Sequence, residues 1–181
     1  MKFAKTIING VYVISMEPHF DERGWFGRTF CADEFKEVVG AITFVQLNQS
    51  FNEKRGTFRG MHYQVPPFAE KKLIRCVSGG VLDIVVDIRR GSPTFLQSFA
   101  VELTAENRDM IFIPEGIAHG FITLDDRTSL LYHHTAFHHP DAARGIRYDD
   151  PLMKIKLPLA IEVMSGRDRS YENLPANFTG I

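Results

Sequence analysis

Between residues 58 and 135 the chain repeats one device: a short run of alternating or continuous apolar residues, then a tight turn, then another run. The runs cover 58–64, 72–77, 81–88, 99–103, 110–113, 120–124 and 129–135, with turn signals such as Pro66-Pro67 and Ser78-Gly79-Gly80 between them. Short strands at regular spacing, broken by Gly, Pro and Asp, predict an antiparallel two-sheet sandwich or barrel. Val11 to Ile14 reads as a further strand, and Asp21-Glu22-Arg23-Gly24 as a turn before the aromatic segment beginning at Trp25. Residues 33–39 carry the one helical pattern, with Phe35, Val38 and Val39 on one stripe and Gly40 as its stop. The tail from Pro158 to Arg169 reads as short helices or coil packed outside the sheets.

The remaining composition removes whole classes of function. With 21 Lys and Arg against 22 Asp and Glu the net charge is −1, which gives no pull towards nucleic acid or anionic membrane. The two cysteines, Cys31 and Cys76, have neither disulfide-framework nor zinc-ligand spacing and suit a reducing compartment. No signal-peptide core is visible and no run reaches the ~20 apolar residues of a membrane helix, so a cytoplasmic location is expected. One domain over 1–181 accounts for the length.

Within the strand series, Arg59-Gly60-Met61-His62-Tyr63-Gln64 concentrates reactive groups, and Lys72 follows ten residues after the histidine. Strict alternation puts Gly60 and His62 on one face and Arg59, Met61 and Tyr63 on the other, unless a bulge at Gly60 re-aims one of them. A histidine and a lysine directed into a sheet interior suit proton transfer better than core packing. A second signal is the strand into Pro114-Glu115-Gly116 that delivers His119. This resembles the second half of the cupin signature and implies a double-sheet jelly roll. The first half departs from it: His62-Tyr63-Gln64 lacks the second histidine of a metal-binding pair. His62 and His119 alone are too few for a transition-metal site. The adjacent pairs His133-His134 and His138-His139 cannot chelate through both members, because neighbours on a strand face opposite ways. Neither a metal nor a cofactor is expected. The run from Val81 to Asp87 reads as a buried strand without chemistry.

Taken in order, these segments, together with Gln46-Leu47-Asn48, Asp87 to Thr94, Tyr132, Gly145 to Pro151 and Ser165-Gly166-Arg167-Asp168, resemble the dTDP-4-dehydrorhamnose 3,5-epimerase family. The resemblance spans nearly the whole chain. It implies a mainly β, cupin-like jelly roll with a short N-terminal helix and short C-terminal helices. It also implies cofactor-free inversion of a nucleoside-diphosphate 4-keto-6-deoxyhexose, of the kind used in deoxysugar and polysaccharide biosynthesis. The ketone makes the flanking C–H bonds acidic, so the reaction needs a base, an opposing acid and a cation near the enolate.

By the same resemblance His62 is the base, supported by Asp168; Tyr132 is the acid; and Lys72, with His119 nearby, stabilises the enolate. Arg59 and Arg167 suit the diphosphate, since guanidinium forks match phosphate oxygens. Arg23, Gln46, Asn48 and His138 complete the implied substrate contacts. A homodimer in which N-terminal segments exchange between sites is implied as well. The chain departs from the family pattern at Arg28 and Ala143, where glutamates are usual, at His138, where a tyrosine is usual, and at His133, where a lysine is usual. These departures leave open an altered base or sugar preference, inversion of a single centre, or a binding module without catalysis.

Overall fold

The computed structural model describes all residues from Met1 to Ile181. In chain order the elements are β1 (Lys2–Lys5), β2 (Tyr12–Ser15), β3 (His19–Asp21), β4 (Gly24–Phe26), α1 (Ala32–Val39), β5 (Gln46–Asn52), β6 (Thr57–Gln64) and β7 (Lys72–Ser78). They continue as β8 (Gly80–Asp87), β9 (Ser98–Thr104), β10 (Met110–Ile113), β11 (Ile117–Thr123), β12 (Thr128–His134), β13 (Ala143–Gly145), β14 (Val163–Met164) and α2 (Gly166–Arg169). One sheet runs β1-β2-β10-β7-β12-β5, and the facing sheet runs β13-β6-β11-β8-β9 with β14 added beside β6. All the strand pairs are antiparallel except β14 with β6. The expected two-sheet jelly roll is therefore the fold.

Three apolar layers follow from the period-two alternation of the strands. Between the sheets, Ile74, Cys76 and Leu130 from one side meet Val81, Val85, Ile117 and Phe121 from the other. The outer face of the second sheet, with Phe58, Met61, Ile84, Val86 and Ile122, is covered by the segment from Ile146 to Ile181. The outer face of the first sheet, with Ile14, Leu73, Met110 and Phe112, is covered by Phe35 of α1. The acidic first turn of α1, Asp33 and Glu34, complements the helix dipole, and Gly40 ends the helix at φ +83°.

The tail combines a short helix with coil packed outside the sheets, as expected. It contains a single four-residue helix, α2, and reaches its place through the parallel strand β14 and coil. Apolar residues such as Leu157, Leu159 and Ile161 make it a cover for the second sheet. No helix of the chain is long and apolar enough to cross a membrane.

One irregularity positions the site. Opposite β11, His62 pairs with His119 but Arg59 pairs with Phe121, so three steps on β6 match two on β11. The extra residue is a bulge at Gly60-Met61, and it corrects the plain alternation. Met61 turns outward into the tail-covered layer, while Arg59 and His62 both face the barrel interior. Gly60 sits at φ +134°, and a Cβ there would lie 2.5 Å from the Cα of Gly120. Only glycine allows β6 and β11 to approach so closely at this point.

Candidate active site

Residues of both sheets line an open cavity of about 320 Å³. His62 on β6, His119 on β11 and Arg167 on α2 line the side formed by the second sheet. Asn48 and Ser50 on β5, Lys72 on β7, and Tyr132 and His134 on β12 line the side formed by the first. The imidazole of His62 and the phenol of Tyr132 thus stand on opposite walls of one cavity.

His62 is held from behind. Its Nε2 lies 2.7 Å from Asp168 Oδ1, and Asp168 is only 5% exposed. Oδ2 of the same carboxylate accepts the Gly60 N–H at 3.3 Å, and Ser165 Oγ caps the Asp168 N–H at 3.0 Å. Burial pushes the Asp168 carboxyl upward. The bond and charge of His62, the Gly60 N–H and the Ser165 side chain outweigh that, and hold it below the usual carboxylate value. An ionised carboxylate only accepts, so Nε2 carries a ring proton and, in the neutral ring, Nδ1 keeps the lone pair. That lone pair is a base on the side chain lining the cavity.

Tyr132 presents the complementary group. Its hydroxyl shares a 2.9 Å bond with Ser50. Burial drives its ionisation well above the ordinary phenol range, against the lowering effect of that bond, so the group stays protonated. Ser50 and Asn52 then connect this wall to Arg59, whose Nε donates to Asn52 Oδ1 at 2.7 Å.

The other expected residues divide into those that line the cavity and those that do not. Arg59, Lys72, Asn48, His119, His138 and Arg167 all line it. Gln46 lies one step back: it donates to Asn48 Oδ1 at 3.3 Å and accepts the backbone N–H of His138 at 3.0 Å. Arg23 is not at this cavity at all. It sits in the exposed β3–β4 turn, paired with Asp21, in a hairpin that leaves Phe26 82% and Phe20 69% exposed. Arg28 likewise lies outside, 2.5 Å from Glu34. Ala143, one of the departures from the family pattern, does line the cavity with its methyl group, whereas His133 faces away and packs against Phe44.

Two carboxylates belong to the site although no chemistry was expected of them. Asp83, fully buried on β8 as expected for the strand 81–87, lies 2.8 Å from His119 Nε2. Glu70 lies 2.7 Å from His134 Nδ1 and 3.2 Å from Lys72 Nζ. The alternation of β8 does put Asp83 on the same face as Val81 and Val85, which is a weak signal of an inward carboxylate. Nothing local marks its partner. No group of three or more His, Cys, Asp or Glu side chains is arranged to hold a metal ion.

A jelly-roll cavity with a carboxylate-backed imidazole on one wall, a protonated phenol on the other and cations on both defines an acid–base isomerase. The comparisons give the family. A family model described as dTDP-4-dehydrorhamnose 3,5-epimerase matches residues 5–176, and the chain belongs to that family. It is 41% identical over 169 residues to the dTDP-4-dehydrorhamnose 3,5-epimerase of Shigella flexneri, covering 93% of each chain. Among solved structures it is similar to dTDP-6-deoxy-D-glucose-3,5-epimerase from Legionella pneumophila Philadelphia 1, in complex with dTDP-4-keto-L-rhamnose. The TM-score is 0.90 at 37% identity, over 95% of this chain and 92% of that one. It is also similar to ChmJ, a 3'-monoepimerase from Streptomyces bikiniensis in complex with dTDP-quinovose. There the TM-score is 0.87 at 30% identity, over 93% of this chain and 85% of that one.

Proposed function

We propose that the protein epimerises a dTDP-linked 4-keto-6-deoxyhexose, of the dTDP-4-dehydro-6-deoxyglucose to dTDP-4-dehydrorhamnose type. The observation that carries the reading is the opposition of His62 and Tyr132 across one cavity. His62 Nδ1 takes the proton from a carbon beside the ketone. Asp168 stabilises the imidazolium that forms, and the Lys72 ammonium, with His119, faces the enolate oxygen. Tyr132 returns a proton from the other face, which inverts the centre. Arg59 and Arg167 bind the diphosphate, and Asn48, His138 and Gln46 border the nucleotide sugar. The electron sink is the substrate's own ketone, so the mechanism calls for no added group.

Arg23 acts in this reading from a second copy of the chain, in a homodimer whose N-terminal segments exchange. The exposed aromatic hairpin Phe20, Trp25 and Phe26 supports that arrangement, as does the absence of Arg23 from the lining of its own chain's cavity.

The test is proton exchange in heavy water with dTDP-4-dehydro-6-deoxyglucose, followed by NMR. Deuterium at both carbons flanking the ketone, with inversion, identifies a 3,5-epimerase. Deuterium at one carbon identifies a single-centre enzyme, and none at either rules the reading out. His62→Ala is expected to abolish exchange while leaving the thermal unfolding cooperative.

A further inference from the structure

Of the side chains lining the cavity, Glu70 is the only carboxylate, in company with Arg59, Lys72, Arg144 and Arg167. A negative group there opposes the binding of a diphosphate and the formation of an enolate, unless its charge is already committed. The geometry commits it. One oxygen, Oε1, lies 3.2 Å from Lys72 Nζ, and the other, Oε2, lies 2.7 Å from His134 Nδ1. Lys72 and His134 are direct cross-strand partners on β7 and β12, so the carboxylate bridges two adjacent strands of the wall that also carries Tyr132. The three side chains are each about nine-tenths buried. Burial pushes the Glu70 carboxyl up, but the bond from His134 and the charge of Lys72 hold it below the ordinary value, so it is ionised. His134 is itself steadied by Asn48, 3.4 Å from its other ring nitrogen.

We propose that Glu70 and His134 form a positioning pair for Lys72, fixing the ammonium on the Tyr132 wall where the enolate oxygen develops. This rests on the epimerase reading above. A lysine head group carries three donors on a four-carbon stem and has no fixed direction of its own. Glu70 supplies the counter-charge that a buried ammonium requires and takes one donor, leaving the other two for the sugar. His134 takes the second carboxylate oxygen and stops Glu70 from swinging towards the diphosphate. The pair binds no substrate atom, so its removal acts on the rate and not on nucleotide affinity.

The experiment measures deuterium incorporation into dTDP-4-dehydro-6-deoxyglucose, together with calorimetric dTDP binding, for wild type, Glu70→Gln, Glu70→Asp and His134→Leu. Glu70→Gln is expected to lower kcat by at least ~10-fold, with KM and the dTDP Kd within about twofold of wild type. Glu70→Asp is expected to recover part of the rate, because it restores the charge, and His134→Leu to show a smaller loss of the same kind. If Glu70→Gln proves unfolded, the His134→Leu comparison decides. A wild-type kcat in Glu70→Gln, or a loss that follows dTDP affinity in either variant, overturns the proposal. A wild type that exchanges no proton at all overturns instead the reading on which it rests.

Discussion

Replacing Asp168 by Asn separates the charge of the His62 partner from its shape. Each carboxylate oxygen has one donor: Oδ1 faces His62 Nε2 at 2.7 Å and Oδ2 faces the Gly60 N–H at 3.3 Å. An amide has only one oxygen to offer. If it faces Gly60, the amide N–H₂ meets His62 Nε2, the ring proton moves to Nδ1, and the base in the cavity is lost. If it faces His62, the N–H₂ opposes a buried backbone N–H, which costs about 1–3 kcal/mol. In either pose the charge that stabilised the imidazolium is gone. A hydrogen bond to a charged group contributes roughly 1.5–3 kcal/mol, which at ~1.36 kcal/mol per decade is about 10- to 150-fold in rate. Loss of the correct tautomer adds to that. Asp168→Asn should therefore slow deuterium incorporation by about a hundredfold or more, read by NMR, with dTDP affinity little changed. A variant within threefold of wild type would refute the argument, since Nδ1 would then need no carboxylate behind its ring.

Three further outcomes follow from the same geometry. Tyr132→Phe should keep deuterium exchange on the His62 face while inverted product falls at least ~100-fold, because proton abstraction survives and opposing protonation does not. Inversion at the wild-type rate would remove Tyr132 as the acid. Gly60→Ala places a methyl group 2.5 Å from the Gly120 Cα in a φ +134° conformation. The backbone conformation alone costs on the order of 1–3 kcal/mol, so the thermal midpoint should fall by at least ~2 °C; an unchanged midpoint would contradict the bulge. Asp168, Glu70 and Asp87 are each pushed up by burial but held below the usual carboxylate value by their donors: His62; His134 and Lys72; and Arg89, Ser92 and Thr94. The sign follows from that depression. Their stabilisation is complete above the ordinary carboxylate pKa near ~4 and is lost as pH falls through the depressed values. Denaturant midpoints should hold steady from neutrality to about pH 5 and drop steeply below ~4, and a flat profile to pH 3 would show that these carboxylates contribute nothing.

Much of the architecture could be read from the chain because burial on one sheet face writes itself into alternation. Strands β7, β8, β10 and β12 are apolar on the faces they bury, and their bounds fall close to the periodic runs. Strand β5 escaped that logic. Its sequence, Gln-Leu-Asn-Gln-Ser-Phe-Asn, is mostly polar because it closes the first sheet at an edge, where its inner face lines the cavity. Strands β1 and β13 and the parallel strand β14 were likewise invisible, being short and defined by their neighbours. The tail's apolar residues serve to cover the second sheet, and only α2 within it is helical.

For the site, residue types alone singled out Arg59 to Gln64 and Lys72, whereas Tyr132 and Asp168 came only through the resemblance to the epimerase family; the structure brings Arg59, His62, Lys72 and Tyr132 to one cavity with Asp168 behind His62. What sequence could not decide was which face each group takes and which group backs it. The bulge at Gly60-Met61 turns Arg59 and His62 the same way, and a one-residue slip reverses every side chain beyond it. The Asp83–His119 and Glu70–His134 contacts join residues 36 and 64 positions apart, the first across neighbouring strands β8 and β11, the second from the segment before β7 to β12. Chemistry-bearing residue types are a local property of the chain, whereas pairing and orientation depend on long-range strand order.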